Sequence, residues 1–444
     1  MQVWKFGGTS VGKPERMKSI RDLVTANSGR KIVVLSALSG TTNALLAMGE
    51  SLMANKKEEA KKLIDDLYAH YSDFIQELFN TEEGLANGKA IIDKEFSFIR
   101  SLANLKIYTL KHDKQMVAQG EIMSTQLFTA YMKEQGESVV LLPALEFMSI
   151  DADNEPELIK IEEKLEGLLA GQTDKQILVT QGFICRNPRG EVDNLKRGGS
   201  DYTASLIGGA ITAEEIQIWT DIDGMHNNDP RIVKRTFPVR ELLFEEAAEL
   251  AYFGAKILHP STITPAKMRG VPVRLKNTMA PDAPGTVIKS EITGGAEIKA
   301  IAAKDNITAI YVHSTRMLNA YGFLRKVFDV FEKYKTPVDM ITTSEVSVAV
   351  TIDNSENLDK ITDELRTFAD LEEHDRNQSI ICIVGNFLAD KSGIAIKILE
   401  AVKHIPIRMI SYGASEHNIS LLVDSAHKND ALEALNEGLF QFDK

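Results

Sequence analysis

The chain has 444 residues, a length that at roughly 150 residues per domain suggests about three domains. With 43% apolar and 26% charged residues, 29 Gly and 13 Pro, it falls among ordinary globular sequences, which excludes a disordered or fibrous chain. Its 51 basic and 63 acidic side chains give a net charge of -12, which argues against a protein whose main task is gripping nucleic acid. The two cysteines, Cys185 and Cys382, form no CxxC pair or metal-ligand cluster, so both are expected to be reduced and inert. The start Met1-Gln2-Val3-Trp4-Lys5 has no basic segment followed by an apolar stretch, and no run reaches the roughly 18 apolar residues of a membrane helix. A cytoplasmic protein is expected.

Through the first 280 residues, short apolar runs bounded by glycine alternate with amphipathic stretches, the pattern of an α/β domain. Residues 3–6 read as a buried strand and residues 7–10 as a turn, with Pro14 at the first position of a helix reaching about Val24. A second strand spans 31–36. Residues 43–109 read mostly as helix, with apolar side chains recurring at three and four; this is expected to be a solvated excursion packing on the core. Further strands are expected at 138–142, 177–184, 216–220 and 271–275, with a hairpin turn over 186–194. Residues 279–295 are rich in Pro and Gly without a period and mark a domain boundary. Beyond them a pattern occurs twice: a strand, a glycine at a helix start (Gly322, Gly393), a proline at the helix end (Pro337, Pro406), two strands and a closing helix. Each copy predicts a βαββαβ unit. The organisation expected is a catalytic domain over 1–280, a linker over 281–300, and two small domains over 301–371 and 372–444, with a strand near 298–303 able to join the second.

Three constellations bear chemistry. Lys5-Phe6-Gly7-Gly8-Thr9-Ser10 puts a lysine at a strand end before two glycines, where backbone N–H groups can approach phosphate and the cation can neutralise a transferring phosphoryl group. An ordinary tight turn is the alternative. Residues 7–13 also fit GxxxxGK, but Pro14 stands where a P-loop needs Ser or Thr. Lys196-Arg197-Gly198-Gly199-Ser200-Asp201 repeats the glycine pair at a helix start, behind two cations; Arg197 offers a fork for a carboxylate, and Asp201 lies near the positive helix end. Thr220-Asp221 ends a strand, and the loop beyond holds Asp229 and Arg231, suited to a sugar, a base or phosphates.

These segments, in this order, resemble the aspartokinases of the amino-acid kinase family. The likeness extends through Ser36, Thr42-Asn43, Gly120-Glu121-Ile122-Met123-Ser124, Gly254-Ala255-Lys256 and His259-Pro260, and the repeat resembles that family's paired ACT domains. It implies an amino-acid kinase fold, a largely parallel sheet between helix layers, followed by two ACT-like units. It further implies transfer of a phosphoryl group from ATP, accompanied by Mg2+, to the side-chain carboxylate of L-aspartate, the first step toward the aspartate-derived amino acids. A carboxylate is already ionised near neutral pH, so no general base is required.

By this resemblance Lys5 and Asp201 are catalytic, and Ser36, Thr42, Glu121, Arg197 and Ser200 hold the amino acid. Lys5, Gly7, Gly8, Thr220, Asp221, His226, Asp229, Arg231 and Lys256 take the nucleotide, although His226 departs from the tyrosine expected there. Mg2+ is expected to arrive on ATP, with no protein ligand assigned. Met317, Gly322, Phe323, Leu324, Val338, Asp339, Ser344 and Glu345 match an amino-acid effector site. Lysine is the expected effector, with threonine or no inhibition at all as the alternatives, because Ala320 stands where lysine-sensitive relatives often have serine. No dinucleotide GxGxxG occurs, so a monofunctional enzyme is expected, paired into a homodimer or higher oligomer through the ACT-like units, without nucleic-acid or membrane partners. Two other readings are a kinase of the same fold acting on glutamate or N-acetylglutamate, and an amino-acid sensor with a degenerate kinase half.

Overall fold

Runs of β-branched and aliphatic residues such as KIVVL at Lys31–Leu35 are buried on both faces, as strands in the middle of a parallel sheet must be. In the computed structural model, which describes all residues except 27–28, 196–197, 255–257, 295, 315–320, 373–374 and 443–444, these runs form the centre of a first unit of residues 1–225 and 258–291. Its strands lie in the order Val139–Leu142, Ile177–Gln181, Lys31–Leu35, Gln2–Phe6, Ile216–Thr220, Val273–Asn277, Thr286–Lys289. The first six are parallel and the last is antiparallel to its neighbour.

The register sets Phe6 beside Leu35 and Trp219, and Leu35 beside Gln181. Four strands therefore end at one level, and the loops that follow them open on the same edge, where open α/β sheets bind ligands. The helices Thr41–Met53, Lys57–Leu78 and Glu82–Ala103 account for the long amphipathic stretch. Their apolar faces pack on the core as expected: Tyr71, Phe74 and Phe96 share one buried cluster with Phe6, Leu35 and Trp219 of the sheet. The expected strand 177–184 breaks after Gln181, because Phe183 adopts φ 67, and the chain resumes as the hairpin strands Ile184–Arg186 and Val192–Asn194. The expected turn at 7–10 is a single helical turn, Gly8–Val11, with the Ser10 and Val11 amides donating to the Gly7 carbonyl.

The second unit comprises residues 226–257 and 292–444. Its antiparallel sheet has the order Ile341–Thr343, Ser347–Ile352, Ile298–His313, Asp375–Gly385, Asn418–Asp424, Ile407–Ser411, and Asp370–Leu371 pairs with His313 and Val312. The long strand Ile298–His313 serves both copies of the repeat: residues 308–313 pair with Ser347–Ile352, and residues 298–304 pair with Asp375–Gly385. Helices Phe323–Lys333 and Leu358–Leu365 cover one half, and Ile394–Ala401 and Lys428–Leu439 cover the other.

The boundary read at 279–295 differs in two respects. Thr286–Lys289 is a strand within the aperiodic stretch, and residues 226–257, expected in the catalytic domain, pack with the repeat. Side chains cause this: Asn227 donates to Asn436 (2.9 Å), Asn228 donates to the Leu432 carbonyl (3.1 Å), Ser415 donates to Glu249 (2.9 Å), and Lys299 pairs with the fully buried Glu246 (2.8 Å). Among the described residues no helix is long and apolar enough to cross a membrane.

Candidate active site

The loops at the strand ends of the first unit enclose an open cavity of about 630 Å³. Its lining includes Lys5, Gly7, Gly8, Ser36, Thr42, Glu121, Ser200, Thr220 and Asp221. Residues from all of the motifs singled out in the sequence up to position 221 thus meet at one place. Lys5 is the penultimate residue of its strand and is nearly buried; its Nζ lies 2.6 Å from Asp201 Oδ1, from the first turn of the helix Gly199–Ala210. That ion pair fixes the lysine head at the cavity wall beside Gly7, where a Cβ would stand 3.3 Å from Nζ. A side chain at position 7 would crowd the cation.

The helices Thr41–Met53 and Gly199–Ala210 begin at the cavity, with Gly40 and Gly198 as their left-handed N-caps. Helix N-termini present free N–H groups and positive potential, which favour anions. Gly198 has φ 65, and a Cβ there would collide with the Thr262 methyl group, so position 198 admits only glycine.

Glu121, in the first turn of the helix Gln119–Glu134, is 3% exposed. Its Oε1 accepts from the Ala37 amide at 3.3 Å, while Oε2 has no hydrogen-bond partner. Burial pushes its carboxyl up to about 8, against the pull of the Ala37 N–H. A buried carboxylate with an unmatched oxygen is built for a cation. Ser36 donates to Ser200 across the cavity (2.8 Å), and Ser124 donates to the Ser36 carbonyl (2.8 Å).

Arg197 and Lys256 lie outside the described residues. His226, Asp229 and Arg231 belong to the second unit and bond within it: His226 meets Thr236 (3.1 Å), and exposed Arg231 grips Asp229 with two nitrogens, holding its carboxyl below the usual range. The lining also includes residues the motifs did not single out, among them Ser39 and Phe183. Phe183 reaches the cavity through a positive φ on a non-glycine residue, with its amide bonded to Thr203 Oγ1 (2.9 Å), for which sequence offers no signal.

Of the expected effector residues, Met317 lies outside the described residues, as does Ala320. Gly322 is the left-handed N-cap of the helix Phe323–Lys333, Phe323 and Val338 pack in the core of this half, Leu324 is 39% exposed, and Ser344 and Glu345 are exposed. Asp339 is not open. Lys304 Nζ lies 2.8 Å from its Oδ1 and 2.8 Å from Asp353, sits 4.3 Å above the Tyr252 ring, and the Tyr252 hydroxyl donates to Asp339 at 2.9 Å. Burial raises the Asp339 carboxyl, Lys304 pulls it back, and Oδ2 remains without a partner.

The fold and this cavity define a kinase of the amino-acid kinase type joined to ACT domains: the amino acid kinase family model matches residues 1–277, and an ACT domain model matches residues 381–439. The chain is 37% identical to aspartokinase 3, chloroplastic, of Arabidopsis thaliana, over 99% of this chain and 82% of that protein. It is 32% identical to the lysine-sensitive aspartokinase 3 of Escherichia coli strain K12, over 99% of both chains. Its structure superposes on E. coli aspartokinase III in complex with aspartate and ADP with a TM-score of 0.83 at 32% identity, covering 99% of this chain and all of that one. The chain belongs to the aspartokinases.

Proposed function

We propose that the protein phosphorylates the side-chain carboxylate of L-aspartate with MgATP, giving 4-phospho-L-aspartate and ADP, as a monofunctional enzyme inhibited by lysine. The observation that bears most weight is the convergence of Lys5, the two glycine loops and the buried, half-satisfied Glu121 on one cavity. Aspartate brings an ammonium for Glu121 and a carboxylate suited to Arg197, with Ser36, Thr42 and Ser200 closing the pocket. A carboxylate oxygen attacks the γ-phosphorus as the bond to the ADP oxygen breaks, and no proton moves. The work left to the protein is alignment and charge neutralisation. Lys5, held by Asp201, meets the charge on the transferring phosphoryl group, the Gly7 and Gly8 backbone approaches its oxygens, and Thr220 and Asp221 face the nucleotide. Magnesium travels with ATP.

The second unit is read as the regulatory part, with lysine as effector. In support, an E. coli relative at 32% identity is named lysine-sensitive, and its structure is known in complex with lysine and aspartate in a T-state. The test is a coupled ADP assay over aspartate, glutamate and N-acetylglutamate, repeated with millimolar lysine or threonine. Turnover with aspartate that lysine suppresses is expected; preference for glutamate would overturn the substrate, and suppression by threonine alone would overturn the effector.

A further inference from the structure

We infer that Tyr71, on the helix Lys57–Leu78 and remote in sequence from every motif of the site, is a positioning residue that holds the 36–43 wall of the cavity for the amino-acid substrate. The inference rests on the aspartate-kinase reading for the identity of that substrate, but not for the tether itself.

The buried face of that helix is otherwise apolar, with Ala60, Ile64, Leu67, Phe74, Ile75 and Leu78. Tyr71 brings the one polar side-chain atom to that buried face: it is 0% exposed, packed edge-on against Phe96, and its hydroxyl lies 3.1 Å from Thr41 Oγ1. Thr41 is also fully buried and opens the helix whose start, with Gly40 on one side and Thr42 and Asn43 on the other, lines the cavity. A buried phenol is retained at a cost unless its hydroxyl is bonded, so this contact locates Thr41 as well as satisfying Tyr71.

The other fastenings of the wall hold its first residues: Ser124 donates to the Ser36 carbonyl and the Ala37 amide to Glu121, both on the helix Gln119–Glu134, while Ser36 bonds through its hydroxyl to Ser200 and through its amide to the Phe6 carbonyl. Thr41 lies at its far end, against Gly120, where a Cβ would stand 3.3 Å from the Thr41 methyl group and 2.8 Å from Ala37. Tyr71 presses that end onto the helix turn that supplies Glu121. Without the hydroxyl, Thr42 and Asn43 lose their fixed distance from Glu121, while the Lys5 and Gly198 side of the cavity keeps its own supports.

The experiment compares wild type, Tyr71→Phe, Thr41→Val and the double variant. One arm measures amide hydrogen exchange without ligand, and the other measures KM for aspartate and for MgATP. Tyr71→Phe is expected to speed exchange over residues 37–45 and not across the sheet. It should raise the aspartate KM by roughly three- to tenfold, the range a single hydrogen bond supplies, with the MgATP KM within about twofold of wild type. The double variant, which leaves neither partner unpaired, should lose no more than either single one. Unchanged exchange over 37–45 would overturn the tether, and faster exchange with an unchanged aspartate KM, or with both KM values raised equally, would overturn its service to the substrate. A wild-type enzyme that turns over no aspartate would refute the substrate reading instead, and the exchange arm would still decide the tether.

Discussion

Lys5 and Glu121 carry opposite charges in the proposed reaction, and each yields a test. On the proposed mechanism Lys5 faces the transferring phosphoryl group, so its removal should act on the transition state more than on binding. Lys5→Ala is expected to lower kcat by at least about a hundredfold, as loss of one preorganised charge does, with the circular dichroism spectrum retained. Near-normal turnover would remove Lys5 from the mechanism. Glu121 gives a pH dependence. In the empty site its carboxyl ionises only near pH 8, so below that pH the free enzyme holds a proton that an incoming ammonium must expel. Affinity for aspartate should therefore rise with pH, its KM falling by up to about tenfold per unit below pH 8 and levelling above it. Glu121→Gln should flatten this profile, and a profile identical in wild type and variant would rule out Glu121 as the ammonium partner.

Among the elements, the helix Gly199–Ala210 depends on its cap. Gly198→Ala imposes a left-handed backbone on alanine and drives its Cβ into Thr262, so unfolding free energy should drop by about 1–2 kcal/mol from the backbone alone, and more from the clash. Thermal denaturation at wild-type temperature would contradict the geometry. In the second unit Lys304 pairs with Asp339, so on the proposed effector reading a diamino effector bound there would have to displace it. Lys304→Met is expected to lower the lysine concentration for half-inhibition by about fivefold, roughly the worth of one charge-assisted contact. Weaker inhibition would mean that Lys304 assists the effector instead of competing with it.

At the level of the whole molecule, the chain crosses between its two units at 225/226, 257/258 and 291/292, so the second unit contains a segment that interrupts the first in sequence. Glycine and proline stand near all three crossings, but such residues mark turns and not which unit a segment joins; Asn227, Asn228 and Glu246 select their unit through partners up to about two hundred residues away in sequence. The parallel sheet, both glycine loops and the double repeat were legible, since each is written in local periodicity or in residues a few positions apart. Tyr71, Phe183 and the Lys304–Asp339 pair were not, because a helical period says that a side chain is buried but not against what. In the second unit Ile341 and Ile410, on strands that lie against one another, are 37% and 41% exposed, which fits burial against another copy. Light scattering should give a mass well above 49.2 kDa, and a monomer at micromolar concentration would reject the pairing.

The most direct test is chemical: incubation with ATP, magnesium, L-aspartate and hydroxylamine, which traps an acyl phosphate as its hydroxamate. Stoichiometric aspartate 4-hydroxamate and ADP, abolished by Lys5→Ala, is the predicted result. ADP release without hydroxamate, or hydroxamate formed from glutamate in preference to aspartate, would contradict it.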